Sequence, residues 1–132
     1  MSEPGTSDSA RSVLVIEDDD EIRQDLGGIL EDEGYQVVTA ANGSEALNKL
    51  HHGIRPRVIL LDMMMPVMNG WELRLELLKH RSFAGIPIVV MSGAGDAQKE
   101  AKSIGAADFV AKPFSVVSLL DTINRTIKKT TS

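Results

Sequence analysis

The sequence predicts an α/β fold in which five parallel strands form a doubly wound sheet with five helices on its two faces. Short, continuously apolar runs, typical of strands buried on both faces, alternate along the chain with segments of helical periodicity. Residues with carboxylate, hydroxyl or ammonium side chains follow directly after these apolar runs. Strands that alternate with helices pair in parallel through right-handed crossovers, so these polar residues are expected to share one edge of the sheet.

The first strand and the first helix are predicted next to each other. Residues 13–16 read Val-Leu-Val-Ile, a run without polar interruption. From Asp20, the expected N-cap, apolar residues recur at helical spacing until Gly34, which can end the helix. The pair Gly27-Gly28 inside this helix costs stability, so we expect it to serve close packing.

The middle of the chain adds two strands and two helices. The strands are predicted at residues 35–40 and 57–61, and between them Ser44 is the expected N-cap of a short helix that ends near Gly53. After the third strand, a loop leads to a helix at residues 71–80. Three leucines of this helix are expected to face inward: Leu73, Leu77 and Leu78.

The last third of the chain completes the sheet. A fourth strand is predicted at residues 86–91, with Pro87 acceptable only near its start, and a fifth at residues 108–111. The helix between them, residues 96–104, has few large apolar side chains. Ser115 is the expected cap of the last helix. Four residues form its apolar stripe: Val116, Leu120, Ile123 and Ile127.

The composition is that of one ordinary globular domain. The chain has 132 residues, and its net charge of −5 argues against direct nucleic-acid binding. It lacks cysteine, which fits a cytoplasmic location, and no apolar run approaches the ~20 residues of a membrane span. We expect a disordered tail at residues 1–12, one domain at 13–129 and a C-terminal tail at 130–132.

The polar residues at the predicted strand ends indicate a phosphate-binding metal site. We take the flavodoxin-like strand order 2-1-3-4-5, in which ligands bind at the carboxyl ends of the strands. Glu17 and Asp18 follow the first strand, and Asp62 follows the third. Converging carboxylates repel each other unless a hard cation such as Mg²⁺ binds them. Ser92 and Lys112, after the fourth and fifth strands, suit a phosphate, and an aspartate can be its nucleophilic acceptor.

Four segments together resemble the response-regulator receiver domain of two-component signalling, of the chemotaxis-regulator type. They read VLVIEDDDEIR, VILLDMMMPVMNGWEL, IPIVVMSG and GAADFVAKPF, and the resemblance covers about residues 12–129. It implies a phosphoprotein that takes a phosphoryl group from a sensor histidine kinase or a phosphotransfer protein. Such a domain is a phosphoacceptor that assists its own phosphotransfer and dephosphorylation, and it is not an enzyme.

The resemblance also implies a role for each matching residue near the metal. Asp62 would accept the phosphoryl group as an aspartyl phosphate. Asp18 and Asp62 would ligate Mg²⁺ directly, Glu17 would act mostly through water, and the backbone carbonyl of Met64 would supply a further ligand.

Four more residues match positions of the family that bind or sense the phosphoryl group. Ser92 would donate a hydrogen bond to it, and Lys112 would pair with its charge. Phe109 would be the switch aromatic, which turns inward when Ser92 moves. A cis peptide bond would join Lys112 to Pro113.

The resemblance further implies an output surface and partners. The face formed by the fourth predicted helix, the fifth strand and the fifth helix would change on phosphorylation and alter the binding of an unknown downstream effector protein. Many receivers form homodimers through these two helices, and the sequence leaves that open here. It equally leaves open whether the chain is a stand-alone regulator or a fragment, with no output domain in either case.

Two positions depart from the residues that hold the attacking water for dephosphorylation in the family. Met64, two residues after Asp62, and Ala94, two after Ser92, have no strong hydrogen-bonding group, so we expect slow self-dephosphorylation. Met64 also weighs against the alternative of a Mg²⁺-dependent phosphohydrolase with an aspartyl nucleophile. Phosphatases similar to haloacid dehalogenases carry a second aspartate there as general acid, and methionine cannot transfer a proton.

Overall fold

The structure is a computed structural model that describes residues 11–63, 65, 68–93 and 95–131. Its sheet has five parallel strands in the order β2-β1-β3-β4-β5, which confirms the predicted fold class and strand order. The strands are β1 (Ser12–Ile16), β2 (Gln36–Ala40), β3 (Val58–Asp62), β4 (Ile88–Gly93) and β5 (Asp108–Lys112). Most of the N-terminal tail that we expect, residues 1–10, lies outside the described residues.

The described residues form six helices, one more than the sequence predicts. They are α1 (Asp20–Asp32), α2 (Gly43–His51), α3 (Gly70–Leu78), α4 (Arg81–Ala84), α5 (Ala97–Ile104) and α6 (Val116–Thr131). The additional helix is α4, which begins after an extended residue, His80, and buries Phe83. Four residues are too few for a helical period to show in the sequence. At the chain's end, α6 continues into the predicted C-terminal tail.

The helices cover both faces of the sheet and create two cores. On one face, Leu26 of α1 and Ile123 of α6 pack against strand residues such as Leu60. On the other, α2, α3 and α5 pack against the strand residues that alternate with these, such as Leu61. The alternation follows from the period of two along each strand. No helix within the described part of the chain combines the length and apolar composition of a membrane span.

Two helix caps differ from the sequence prediction. The N-cap of α1 is Asp19, whose side chain accepts from the backbone N–H of Ile22, and Asp20 is already helical. Likewise Asn42, not Ser44, caps α2. In a run of neighbouring polar residues, backbone dihedral angles decide which one caps, and composition alone does not. Ser115 caps α6 as predicted, since its Oγ accepts from the N–H of Ser118 at 3.0 Å.

Some residues that were expected in the core are exposed. Leu78 and Val116 are 52% and 47% exposed. Each lies in the first or last turn of its helix, and helical spacing does not show where the sheet beneath the helix ends. The expectation of close packing at Gly28 was wrong, because a Cβ there would have no atom within 4 Å.

Candidate functional site

The pairing of β1 with β3 determines where the predicted acidic residues lie. Ile16 of β1 is in register with Leu61 of β3, so Glu17 and Asp62 both come one residue later, at the same level of the sheet. A backbone hydrogen bond from the N–H of Glu17 to the carbonyl of Ala40 fixes the exit of β1. Both side chains are therefore presented at the carboxyl edge of adjacent central strands.

Three carboxylates meet at this edge. Glu17, Asp18 and Asp62, which we call the acidic cluster, each offer one carboxylate oxygen, and these oxygens all lie within 4.8 Å of one another. Glu17 and Asp62 are 1% and 5% exposed, while Asp18 is exposed to solvent. Buried like charges at this separation repel strongly, and a cation placed among them would remove the repulsion.

Lys112, the last residue of β5, reaches the same place. Its Nζ lies 3.6 Å from Glu17 Oε1 and 3.6 Å from Asp62 Oδ1. When all four groups are ionised, one ammonium stands against three carboxylates, so the site retains a negative excess that a divalent cation could balance. The peptide bond from Lys112 to Pro113 is cis.

Glu17 is the most strongly perturbed group of the site. Burial, and next the negative charge of Asp62, raise the pKa of Glu17 to about 7, although the N–H of Asp19 and the ammonium of Lys112 act in the opposite direction. Its Oε2 accepts from the N–H of Asp19 at 3.2 Å. Its Oε1 is buried and has no hydrogen-bond partner among the described residues. An acceptor oxygen in this condition fits a metal site, because a cation or its bound water would satisfy it.

The remaining predicted residues lie on neighbouring elements. Ser92, on β4, is 7% exposed, and its hydroxyl donates a hydrogen bond to Glu100 Oε1 on α5. Phe109, on β5, is half-buried against the core beneath α2, α3 and α5. Met64 and Ala94 lie outside the described residues. The structure thus brings the acidic cluster and Lys112 together, and it engages Ser92 with a residue of α5.

Sequence reasoning missed two residues at this edge. The first is Glu100, which accepts a hydrogen bond from the Ser92 hydroxyl. The second is Arg23, whose Nη1 donates to the backbone carbonyl of Glu17 at 2.9 Å. The Nη2 of Arg23 forms an ion pair with Asp20 at 2.5 Å. The spacing of Asp20 and Arg23 indicates a helical ion pair but not the reach back to β1. For Glu100 no signal in the sequence points to Ser92, since packing of α5 on the sheet creates the contact.

Known proteins resemble this chain in sequence. A sequence model of the family described as response regulator receiver domain matches residues 13–124. Response regulator RR06 of Streptococcus pneumoniae is 34% identical over 120 residues, 89% of this chain and 54% of that protein. The phosphate regulon transcriptional regulatory protein PhoB of Escherichia coli is 32% identical over 122 residues, 91% of this chain and 53% of that protein. This chain therefore spans about half the length of these relatives.

The fold has equally clear counterparts among solved structures. The chemotaxis response regulator CheY4 of Vibrio cholerae is 36% identical and superposes with a TM-score of 0.78, over 87% of this chain and 97% of that one. A response regulator from Chloroflexus aurantiacus, described as putative, is 28% identical with a TM-score of 0.82, over 89% of this chain and 98% of the other. The similarity covers most of the chain in both cases.

Proposed function

The chain belongs to the response regulator receiver domain family, and on that premise we propose that Asp62 accepts a phosphoryl group from a phosphohistidine. The donor is a sensor histidine kinase or a phosphotransfer protein of a two-component pathway. The observation that carries the proposal is the convergence of Asp62 with two further carboxylates and with Lys112 at one edge of the sheet. A cytoplasmic location is part of the proposal.

The transfer needs little from the protein beyond positioning and charge. An Asp62 oxygen attacks phosphorus, the P–N bond of the phosphohistidine breaks, and its electron pair returns to the imidazole nitrogen. Lys112 Nζ, 3.6 Å from Asp62 Oδ1, neutralises part of the charge that the phosphoryl group adds. Ser92 donates a hydrogen bond to a phosphoryl oxygen. Lys112 and Ser92 are thus binding residues, and Asp62 is the nucleophile.

The acidic cluster is proposed to hold Mg²⁺. Asp18 and Asp62 would bind the ion directly, Glu17 through water, and the carbonyl of Met64 would add a ligand. Glu17 Oε1 supports this assignment, because it is buried and has no hydrogen-bond partner among the described residues. When bound, Mg²⁺ supplies positive charge to the oxygens of the phosphoryl group. The chain's own contribution is to hold three carboxylates close enough to bind it.

Phosphorylation is proposed to alter the α5–β5–α6 face, which we define as the exposed surface of those three elements. Movement of Ser92 toward the phosphoryl group would let Phe109 turn inward, and the face would then bind a downstream effector protein differently. A homodimer through α5 and α6 is a further proposed use of it.

The experiment that tests this function treats the protein with acetyl phosphate and Mg²⁺ and records the intact mass. The wild type is expected to gain the mass of one phosphoryl group, because the Asp62 carboxylate displaces acetate. Asp62→Ala should gain none, whereas Asp121→Ala, a change at an exposed aspartate of α6, should gain it as the wild type does. Equal labelling of Asp62→Ala and the wild type would refute Asp62 as the acceptor.

The same samples test the slow dephosphorylation expected from Met64 and Ala94. After acetyl phosphate is removed, the phosphorylated mass should persist for minutes or longer, because neither side chain can hold the attacking water by a strong hydrogen bond. The measurement is the decay of the phosphorylated mass with time. A half-life of seconds would contradict this expectation. Sustained turnover of small phosphate esters would favour the phosphohydrolase alternative.

A further inference from the structure

The hydroxyl of Ser92 has an acceptor on α5. Ser92 lies on β4 one residue beyond Met91, which is in register with Asp62, and its Oγ donates to Glu100 Oε1. Ser92 is 7% exposed and Glu100 is half-buried, so water competes little for this hydrogen bond. Glu100 is in the first turn of α5, and its backbone N–H donates to the carbonyl of Asp96, which keeps it within the helix.

The body of α5 is anchored to α3, which holds Glu100 in place. The indole N–H of Trp71 donates to Ser103 Oγ at 2.8 Å, and Ser103 Oγ in turn donates to the carbonyl of Glu100 at 2.7 Å. Arg74 Nε donates to the carbonyl of Ile104 at 2.9 Å. Glu100 therefore lies on a helix that hydrogen bonds from α3 hold in place.

A serine hydroxyl carries a single proton and can donate one full hydrogen bond at a time. An acceptor on α5 and a phosphoryl oxygen on Asp62 must therefore compete for it. Both acceptors are negatively charged, so each would form a charge-assisted hydrogen bond with the hydroxyl, and Glu100 opposes the phosphoryl group by occupying the donor.

We propose that Glu100 is a positioning residue for Ser92. Glu100 accepts the hydrogen bond of the Ser92 hydroxyl and so determines how readily that hydroxyl becomes available to a phosphoryl group on Asp62. This inference rests on the proposed function of Asp62. It adds that the Ser92–Glu100 hydrogen bond opposes the phosphorylated arrangement and that breaking it is part of the response. The side chain of Glu100 then becomes free at the start of α5, within the α5–β5–α6 face.

The test is an equilibrium titration with beryllofluoride and Mg²⁺, in which beryllofluoride bonds to an aspartate oxygen and imitates a phosphoryl group. Fluorine NMR measures the bound fraction directly. Glu100→Ala should bind beryllofluoride about tenfold more tightly than the wild type, since roughly one charged hydrogen bond no longer opposes binding. Glu100→Gln, which keeps an acceptor oxygen but loses the charge, should show a smaller gain.

Two controls separate the Ser92 contact from charge and from stability. Asp96→Asn removes an exposed negative charge at the start of the same helix without touching Ser92, and it should stay within about twofold of the wild type. In a Ser92→Ala background, Glu100→Ala should change the affinity less than about twofold, because the pair interacts through the hydroxyl. Thermal denaturation of each variant checks that it is folded.

The outcomes distinguish this inference from the proposed function. If Asp62→Ala removes beryllofluoride binding but Glu100→Ala binds no more tightly than the wild type, the role of Glu100 is refuted while Asp62 stands. A full Glu100→Ala effect that persists in the Ser92→Ala background also refutes it. If the wild type and Asp62→Ala bind alike, the proposed function fails and the inference fails with it.

Discussion

At the residue scale, Glu17 is the residue of the site whose ionisation the folded protein disfavours most strongly. Its side chain is buried at the end of β1, one of its oxygens has no hydrogen-bond partner among the described residues, and its pKa is raised to about 7. A raised carboxyl pKa in the folded protein favours the protonated form there. Protonated Glu17 therefore makes its full contribution to the free energy of unfolding below pH 4.5, the ordinary pKa of the group. That contribution is lost as the pH rises through about 7.

Glu17→Gln should therefore stabilise the protein at pH 8 in metal-free buffer and change it little near pH 5. The expected gain at pH 8 is roughly 1 to 3 kcal/mol in the free energy of unfolding, since the buried charge is removed. Urea denaturation with a chelator present, at both pH values, measures it. Glu21→Gln, an exposed change in the first turn of α1, should show no such pH dependence. A gain that is the same at both pH values would contradict this account of Glu17.

Some contacts of the site could be predicted from the sequence, whereas others depend on how the helices pack on the sheet. Glu17, Asp62 and Lys112 could be predicted to converge, because each follows an apolar run and parallel strands end at one edge. The contact of Glu100 with Ser92 could not, since it depends on how α5 is rotated and seated on the sheet. The burial that raises the pKa of Glu17 is likewise a property of packing, which the acidic run alone does not reveal.

At the element scale, the sequence predicts the elements better than their ends. The β4 prediction began before Pro87, whereas the strand begins at Ile88, after the proline. The helix predicted at 71–80 ends at Leu78 and is followed by α4, because His80 adopts an extended backbone. Local dihedral angles at a single residue decide such boundaries, and the periodicity of a helix cannot resolve them.

The connection between β3 and α3 allows a quantitative prediction at this scale. The N–H of Gly70, the first residue of α3, donates to the carbonyl of Met63 at 3.0 Å. A Cβ at Gly70 would overlap Met63 Sδ and lie 3.2 Å from Met63 Cα, and Met63 is fully buried beside Asp62. Gly70→Ala should therefore destabilise the fold by about 1 to 3 kcal/mol, as overpacking does. Chemical denaturation measures the change.

Gly28→Ala in α1 is the matched control for this substitution. Gly28 is inside a helix, and a Cβ there has open space, so alanine should stabilise the protein by about 0.5 to 1 kcal/mol through helix propensity. Opposite signs for the two glycine-to-alanine changes are expected. Equal effects at Gly28 and Gly70 would show that the close approach of α3 to Met63 does not constrain the fold.

At the scale of the whole molecule, the doubly wound sheet places proposed site residues at the carboxyl ends of four of its five strands, all except β2. The central pair β1 and β3 carries the acidic cluster, β4 carries Ser92 and β5 carries Lys112. The alternation of apolar strands with amphipathic helices predicts a parallel sheet with helices on both faces, whereas the order 2-1-3-4-5 was taken as the common one for five strands. The sequence does not predict which helix residues contact the polar side chains, so the acidic cluster could be predicted and the contact of Ser92 with Glu100 on α5 could not.

The central claim is that carboxylates from two strands share one Mg²⁺, and a calorimetric titration of Mg²⁺ into the metal-free protein tests it most directly. The wild type should bind one ion per chain, and Asp18→Asn should weaken binding by at least about tenfold, because an exposed direct ligand is lost without disturbing the core. Asp32→Asn, an exposed change at the end of α1, should bind as the wild type does. Undiminished Mg²⁺ affinity in Asp18→Asn would contradict the account.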